Sequence, residues 1–141
     1  MIWAPTLAWV VKAGDRYLFV EEDIDGLATL NQPAGHLEPG ESLIAGAKRE
    51  LLEETGLSLD PQGLVGIYRY ALPHKCFLRH TFFAELPKVV EVNPQDGDIL
   101  ACHWLTLDQL ASWPLRSPLV RTCIEDFEQG HRYPLSVLRQ P

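Results

Sequence analysis

The 141-residue chain has one methionine, three cysteines and only 12 basic residues against 19 acidic ones. No run of apolar residues approaches the length needed to cross a bilayer, which removes the helical membrane proteins from consideration. The cysteines, Cys76, Cys102 and Cys123, are odd in number and widely spaced, so they outline neither a disulfide framework nor a zinc site. Idle thiols suit a reducing compartment, and a cytoplasmic location is expected. The formal net charge of −7 excludes a nucleic-acid polymer as the natural partner, because duplexes and long single strands demand a cationic surface. A small phosphate ester carried with its metal is compatible with an acidic protein, since the ion inverts the local field. Low-complexity segments and internal repeats are absent, and the opening Met1 to Asp15, broken by Pro5 and Lys12, reads as a strand and not as a signal peptide.

What is present is an ordinary globular composition, 46% hydrophobic, in a length that suits one domain spanning residues 1–141. Thr6 to Ala13 is an apolar, β-branched run, followed by a turn at Gly14-Asp15 and a hairpin partner from Tyr17 to Glu22. Leu27 to Leu30 reads as a short strand leading into Asn31-Gln32-Pro33-Ala34-Gly35, where Pro33 and Gly35 punctuate a loop. A helix is predicted from about Leu43 to Thr55. Strands follow at Leu64 to Leu72, Phe77 to Leu86 and Ile99 to Leu105. A short helix begins near Thr106 or Asp108, and a last helix runs from Pro118 to Gln129. Strands around two main helices predict an α+β layered fold, a mixed β-sheet flanked by helices. Trp9 and Trp104 read as core.

The helix at Leu43 to Thr55 is the most informative segment. Ser42 is a candidate N-cap, Gly56 a C′ glycine, and Leu57 the apolar residue after it. Ile44, Ala47 and Leu51 follow a buried-face spacing, and Leu43 and Leu52 widen it enough to suggest a helix wedged between layers. At about 100° per residue, Glu53 lies about 60° to one side of Glu50 and Glu54 about 40° to the other, so the three share an arc of roughly 100°. Carboxylates this dense repel one another unless a cation sits among them, and Mg²⁺ prefers hard oxygen ligands completed by waters and phosphates. Mn²⁺ is a plausible substitute.

The full segment reads Gly35, five residues, Glu41, seven residues, Arg49-Glu50, Leu51, one residue, Glu53-Glu54, one residue, Gly56-Leu57. It resembles the Nudix box, the signature of the Nudix hydrolase superfamily, at every specified position. With each residue type used at about 6%, a chance match is roughly one in 10⁹ per window. The resemblance implies an α/β/α sandwich and metal held by Glu50, Glu53, Glu54 and the carbonyl of Gly35. It implies phosphoanhydride hydrolysis, with Glu50 or Glu53 as proton acceptor. Glu41 and Arg49 match the box's upstream glutamate and its arginine. Arg49 is counted with the catalytic group, its role expected to be an ion pair that orients a carboxylate. Some members recruit a further acid from a later loop, for which Glu91, Asp96 and Asp98 are candidates and Asp98 is preferred.

Outside the box, Asn31 to Glu38, Leu115 to Val120 and Arg132 to Leu135 are similar to a phosphatase branch of the superfamily. That similarity implies release of orthophosphate from nucleoside tri- and diphosphates, and from the pyrimidine pyrophosphate precursor of thiamine. Leu30 departs from the branch, which carries tryptophan there. A nucleotide-sugar or ADP-ribose pyrophosphatase and a non-catalytic nucleotide-binding module are the alternatives. Arg79, Arg116, Asp98 and Tyr133 are candidate substrate contacts, with Tyr68, Tyr70, Phe77 and Arg132 behind them, because rings stack on rings and arginine pairs with phosphate. The histidines show no ligand spacing, and His36 reads as a loop residue near the site. Monomer and homodimer are both compatible with the sequence.

Overall fold

Alternation along the first strand decides the architecture. The computed structural model describes residues 1–141. The strands are β1 (Ile2–Ala13), β2 (Arg16–Ile24), β3 (Leu27–Asn31), β4 (Ala34–His36), β5 (Gly63–Ala71), β6 (Lys75–Leu86) and β7 (Ile99–Leu105). The helices are α1 (Leu43–Thr55), α2 (Leu107–Leu110) and α3 (Leu119–Glu128), with a 3-10 turn at Leu135–Val137. On β1, Leu7, Trp9 and Val11 point to one face, where they meet Ala47 and Leu51 of α1 and Phe82 of β6. Val10 points to the other, among Val120, Cys123, Ile124 and Phe127 of α3. A strand covered on both faces reads as one continuous apolar run, which is why Thr6 to Ala13 has no polar alternation. Full burial of rings such as Trp9, Phe19, Phe82 and Phe127 contributes on the order of 2–3 kcal/mol each. The result is the expected α/β/α sandwich around a mixed sheet.

The sheet is mixed because β1 pairs in parallel with β6 along its whole length, from Ile2 opposite Lys75 to Ala13 opposite Leu86, while every other pairing is antiparallel. On its other side β1 pairs with β2 only at Lys12 and Ala13. That leaves the middle of β1 free to receive β4, with Leu7 opposite Gly35.

Two expectations need correction, and a third segment is placed by the sheet. Ala34–His36 is a strand and not part of a loop: its backbone groups are taken up by β1, continued by the Trp9 N–H on the Pro33 carbonyl at 3.0 Å. Leu52 is exposed, so α1 is covered on one side only and is not wedged between layers. The tail carrying Arg132 and Tyr133 is tied to the sheet away from the expected substrate contacts: Tyr133 exchanges backbone hydrogen bonds with Leu64, and Arg132 lies 4.2 Å from the Phe127 ring centre while pairing with Glu85 at 2.8 Å.

The α1 boundaries match the sequence reading at both ends. Ser42 Oγ accepts the Ala45 N–H at 3.0 Å. Gly56 adopts φ 76°, and its N–H donates to the Leu52 carbonyl. A Cβ at Gly56 would also stand 2.6 Å from the Asn93 carbonyl oxygen. Gly56→Ala is therefore expected to cost about 2 kcal/mol, from the left-handed backbone and the clash together; urea unfolding followed by tryptophan fluorescence measures it.

Candidate active site

Helix α1 is clamped against the β1–β4 pair by three contacts between distant residues. Trp9 Nε1–H donates to the Ala47 carbonyl at 2.7 Å inside the core. Glu54 accepts the Ala34 N–H at 2.8 Å. Glu50 lies directly against Gly35, where any Cβ would fall on its carboxyl group. The glycine is needed because the carboxylate occupies the volume of a side chain.

Glu50 and Glu54 are both buried, whereas the Glu53 side chain is 46% exposed. Burial pushes the Glu54 carboxyl up to about 8, reinforced by the charges of Glu50, Glu22 and Asp96 and opposed by the Ala34 hydrogen bond. Glu50 is also raised by burial, against the pull of Arg49.

Arg49 gathers the rest. Its guanidinium forks onto Glu41 at 2.6 and 2.9 Å, donates to Glu50 at 2.7 Å and to the His36 carbonyl at 3.0 Å, and lies 3.4 Å from Glu53. The bidentate geometry is specific to arginine. It holds Arg49 far above its usual range and Glu41 below its own, chiefly through their mutual hydrogen bonds. Glu41 in turn accepts the Glu38 N–H at 2.8 Å, closing the loop before the helix.

Beside this seam a cavity of about 450 Å³ opens, lined among others by Glu22, Gly35, His36, Tyr70, Phe77, Arg79 and Arg116. Tyr70 and Phe77 are cross-strand partners on β5 and β6, and the His36 ring stands 6.4 Å from Phe77. Burial, with Lys75 close by, lowers His36. Arg116 reaches the wall because its N–H is held by the Leu30 carbonyl at 2.8 Å. Leu30 itself is fully buried in the core and does not line the cavity. Two of the four candidate contacts, Arg79 and Arg116, are thus on the wall, and Tyr133 and Asp98 are not. Tyr68 turns away to the core and donates to Asp126 at 2.8 Å.

The NUDIX domain profile matches residues 5–123. Phosphatase NudJ of Escherichia coli K12 is 44% identical over 135 residues, covering 94% of this chain and 88% of that protein. The structure of a NUDIX hydrolase from Nitrosomonas europaea superposes with a TM-score of 0.89 at 42% identity, covering 98% of this chain and 97% of the other. The NUDIX domain of Shewanella oneidensis NrtR, solved with ADP ribose, shares the fold at TM-score 0.80 and 16% identity, with 92% and 88% covered.

The chain belongs to the Nudix hydrolases.

For a Nudix hydrolase, the residues present fit a hard divalent cation by donor chemistry. Buried carboxyls crowd one seam, and burial disfavours the ionised form of Glu54 and Glu50 unless a positive charge is supplied beside them. No three acidic side chains close on a single point in this structure, because Arg49 draws Glu50 and Glu53 toward itself and Ala34 holds Glu54.

Glu22 is the residue that sequence reasoning missed. It lies on the cavity wall, its carboxyl raised by burial and by Asp96 and Asp98 but lowered by Arg116. The Glu21-Glu22-Asp23 run at the strand's end was the available signal. The acidic loop is anchored by the Gln95 and Asp96 N–H groups, at 2.9 and 2.8 Å from the Glu53 carbonyl. That anchoring brings Asp96 into the field of Glu54 as well as Glu22.

Gly35→Ala must displace the Glu50 carboxylate. The expected cost is about 1–3 kcal/mol of stability from overpacking. Divalent-cation affinity should fall about tenfold or more, read by calorimetry on the folded variant.

Proposed function

We propose that this protein is a Mg²⁺-dependent phosphatase that hydrolyses phosphoanhydride bonds in nucleoside tri- and diphosphates and releases orthophosphate. The pyrimidine pyrophosphate precursor of thiamine is a further candidate substrate. The observation that carries the reading is the juxtaposition of two surfaces: the carboxylate seam of α1 and the cationic, ring-bearing cavity that meets it at Gly35. The name of the 44% identical relative, Phosphatase NudJ, supports the phosphatase part.

The residues that would hold the cation are Glu50, Glu53 and Glu54 with the Gly35 carbonyl. When bound, a divalent cation neutralises phosphate oxygens and makes water a better nucleophile at neutral pH. The chain's own groups do the remainder. Arg49 fixes the orientation of Glu50 by the 2.7 Å hydrogen bond, so that its free carboxylate oxygen has one defined direction. Glu53, on the exposed side of the turn, and Glu50, on the buried side, are the two candidates within the box for the single proton acceptor. Arg79 and Arg116 supply positive charge to the phosphate chain. Tyr70, Phe77 and His36 offer faces for a heterocycle, since ring stacking tolerates several bases.

Purified protein with Mg²⁺ and a panel of nucleotides plus the thiamine precursor is expected to yield orthophosphate, identified by ³¹P NMR, and chelation should stop the release. Glu53→Gln should lower turnover at least about 100-fold with an unchanged circular dichroism spectrum. Full activity in that variant would remove Glu53 from the metal set. Release of a nucleoside monophosphate from ADP-ribose or a nucleotide sugar, with no orthophosphate from the panel, would assign pyrophosphatase chemistry instead.

A further inference from the structure

Arg79 is a buried cation without a counter-ion. It is 7% exposed, sits on β6 opposite Thr6 of β1, and lines the cavity. Its guanidinium donates to Gln32 Oε1 at 3.0 Å and to Asn31 Oδ1 at 3.4 Å, both neutral amide oxygens. Neither contact is an ion pair, and the third partner, the Cys123 thiol, is neutral as well, so no anion faces the guanidinium's remaining N–H groups. Gln32 is itself pinned, donating to the Val120 carbonyl at 2.7 Å. The guanidinium is therefore held from below by a rigid amide and left open toward the cavity.

The groups packed around it do not compensate the charge. The Cys123 thiol is pushed up by burial and the Tyr68 hydroxyl likewise, so both stay neutral. Glu54, whose charge reaches Arg79, accepts the Ala34 N–H at 2.8 Å and forms no ion pair with the guanidinium. Burial consequently pulls Arg79 below its usual range. A charge removed from water and paired only with neutral dipoles destabilises the free protein, unless something supplies the missing anion.

We propose that Arg79 is a specificity-determining residue whose absent counter-ion is a phosphate group of the substrate, received in the cavity independently of the metal. This rests on the hydrolytic reading above and adds that Arg79 receives the phosphate without help from the metal, and at what cost to the free protein. The planar fork, oriented by Gln32 and Asn31, presents its free edge to a tetrahedral oxyanion, a match that lysine cannot reproduce. The site selects substrates bearing a phosphate over neutral pyrimidines or sugars, because only an anion repays the buried charge.

The test uses the full-length protein in chelator, so that no cation contributes, with orthophosphate and a nucleoside monophosphate titrated separately while melting temperature is recorded. Wild type should be stabilised by at least one of the two. Its apparent affinity should fall about tenfold or more in Arg79→Met and by an intermediate factor in Arg79→Lys. Arg79→Met without ligand should melt no lower than wild type, which a purely structural arginine would not allow. The ligand whose affinity depends on Arg79 tells whether the terminal or the retained phosphate is held. Wild-type affinity for both ligands in either folded variant overturns the proposal. Collapse of both variants overturns it too, since the guanidinium would then belong to the scaffold. Because the readout needs no turnover, an inactive wild type would remove the hydrolytic reading while leaving this binding measurable.

Discussion

Helix α1 carries two buried carboxylates into the seam where it meets β4, and most of the local structure follows from that one placement. Bringing negative charge out of water is unfavourable unless it is paired or hydrogen-bonded. The Ala34 N–H offsets part of that cost for Glu54 and Arg49 does so for Glu50, although burial still raises both carboxyls. Each solution constrains something else. Ala34 can offer its N–H outward because residues 34–36 lie in register with β1 on their other side. Gly35 must lack a side chain because Glu50 fills that volume. Arg49 must be arginine because one planar group has to reach Glu41, Glu50, Glu53 and the His36 carbonyl together.

The same seam explains how an acidic protein can bind a polyanion. Its net charge of −7 would repel a free polyphosphate over long distances. Locally the sign is different. The carboxylates have the donor chemistry for a divalent cation, while Arg79, Arg116 and Lys75 stand on the cavity wall. Arg49 fills a third role: it supplies positive charge to the box from within the chain, tying down the oxygens that a metal would otherwise order. Its hydrogen bonds run to carboxylates and a carbonyl, and it does not line the cavity. An orienting ion pair is thus the role its geometry supports.

The elements that were legible were those whose signals are local. The α1 limits came from Ser42 and Gly56, and the start of α2 from Thr106, which forms a capping box with Gln109. Strand β4 was not legible because Ala34-Gly35-His36, following Pro33, has the composition of a turn. Only pairing with β1, some twenty-five or more positions earlier, makes it a strand. Burial of Leu52 was expected from apolar content alone, yet position on the helix decides exposure, and this residue lies on the solvent side. Tyr133 and Arg132 looked like substrate contacts because aromatic and basic side chains serve both binding and packing. Arg132 stacks on Phe127, whereas Tyr133 is held to Leu64 by its backbone alone, with its ring exposed and off the cavity wall. Glu22 went unseen because strand acids ordinarily face water, and only the folded sheet brings this one beside Glu54 and Arg116.

Leu30 shows how a core residue can still govern the site. Its side chain is sealed among Val10, Phe19 and Ile124. Its backbone, however, takes the Pro114 carbonyl on one side and the Arg116 N–H on the other, at 2.9 and 2.8 Å. The segment delivering Arg116 is thereby stitched to the edge of β3, and the next residues along the chain, Asn31 and Gln32, support Arg79. Both cavity arginines therefore take their positions from one short stretch of chain whose own packing is decided in the core. A larger side chain at position 30 would act first on the interior, by displacing tightly packed neighbours. Any resulting shift of β3 would move the two guanidinium groups together relative to α1. Substitution there is thus expected to alter how phosphate is held without touching the carboxylate seam, which is anchored separately through Trp9 and Ala34.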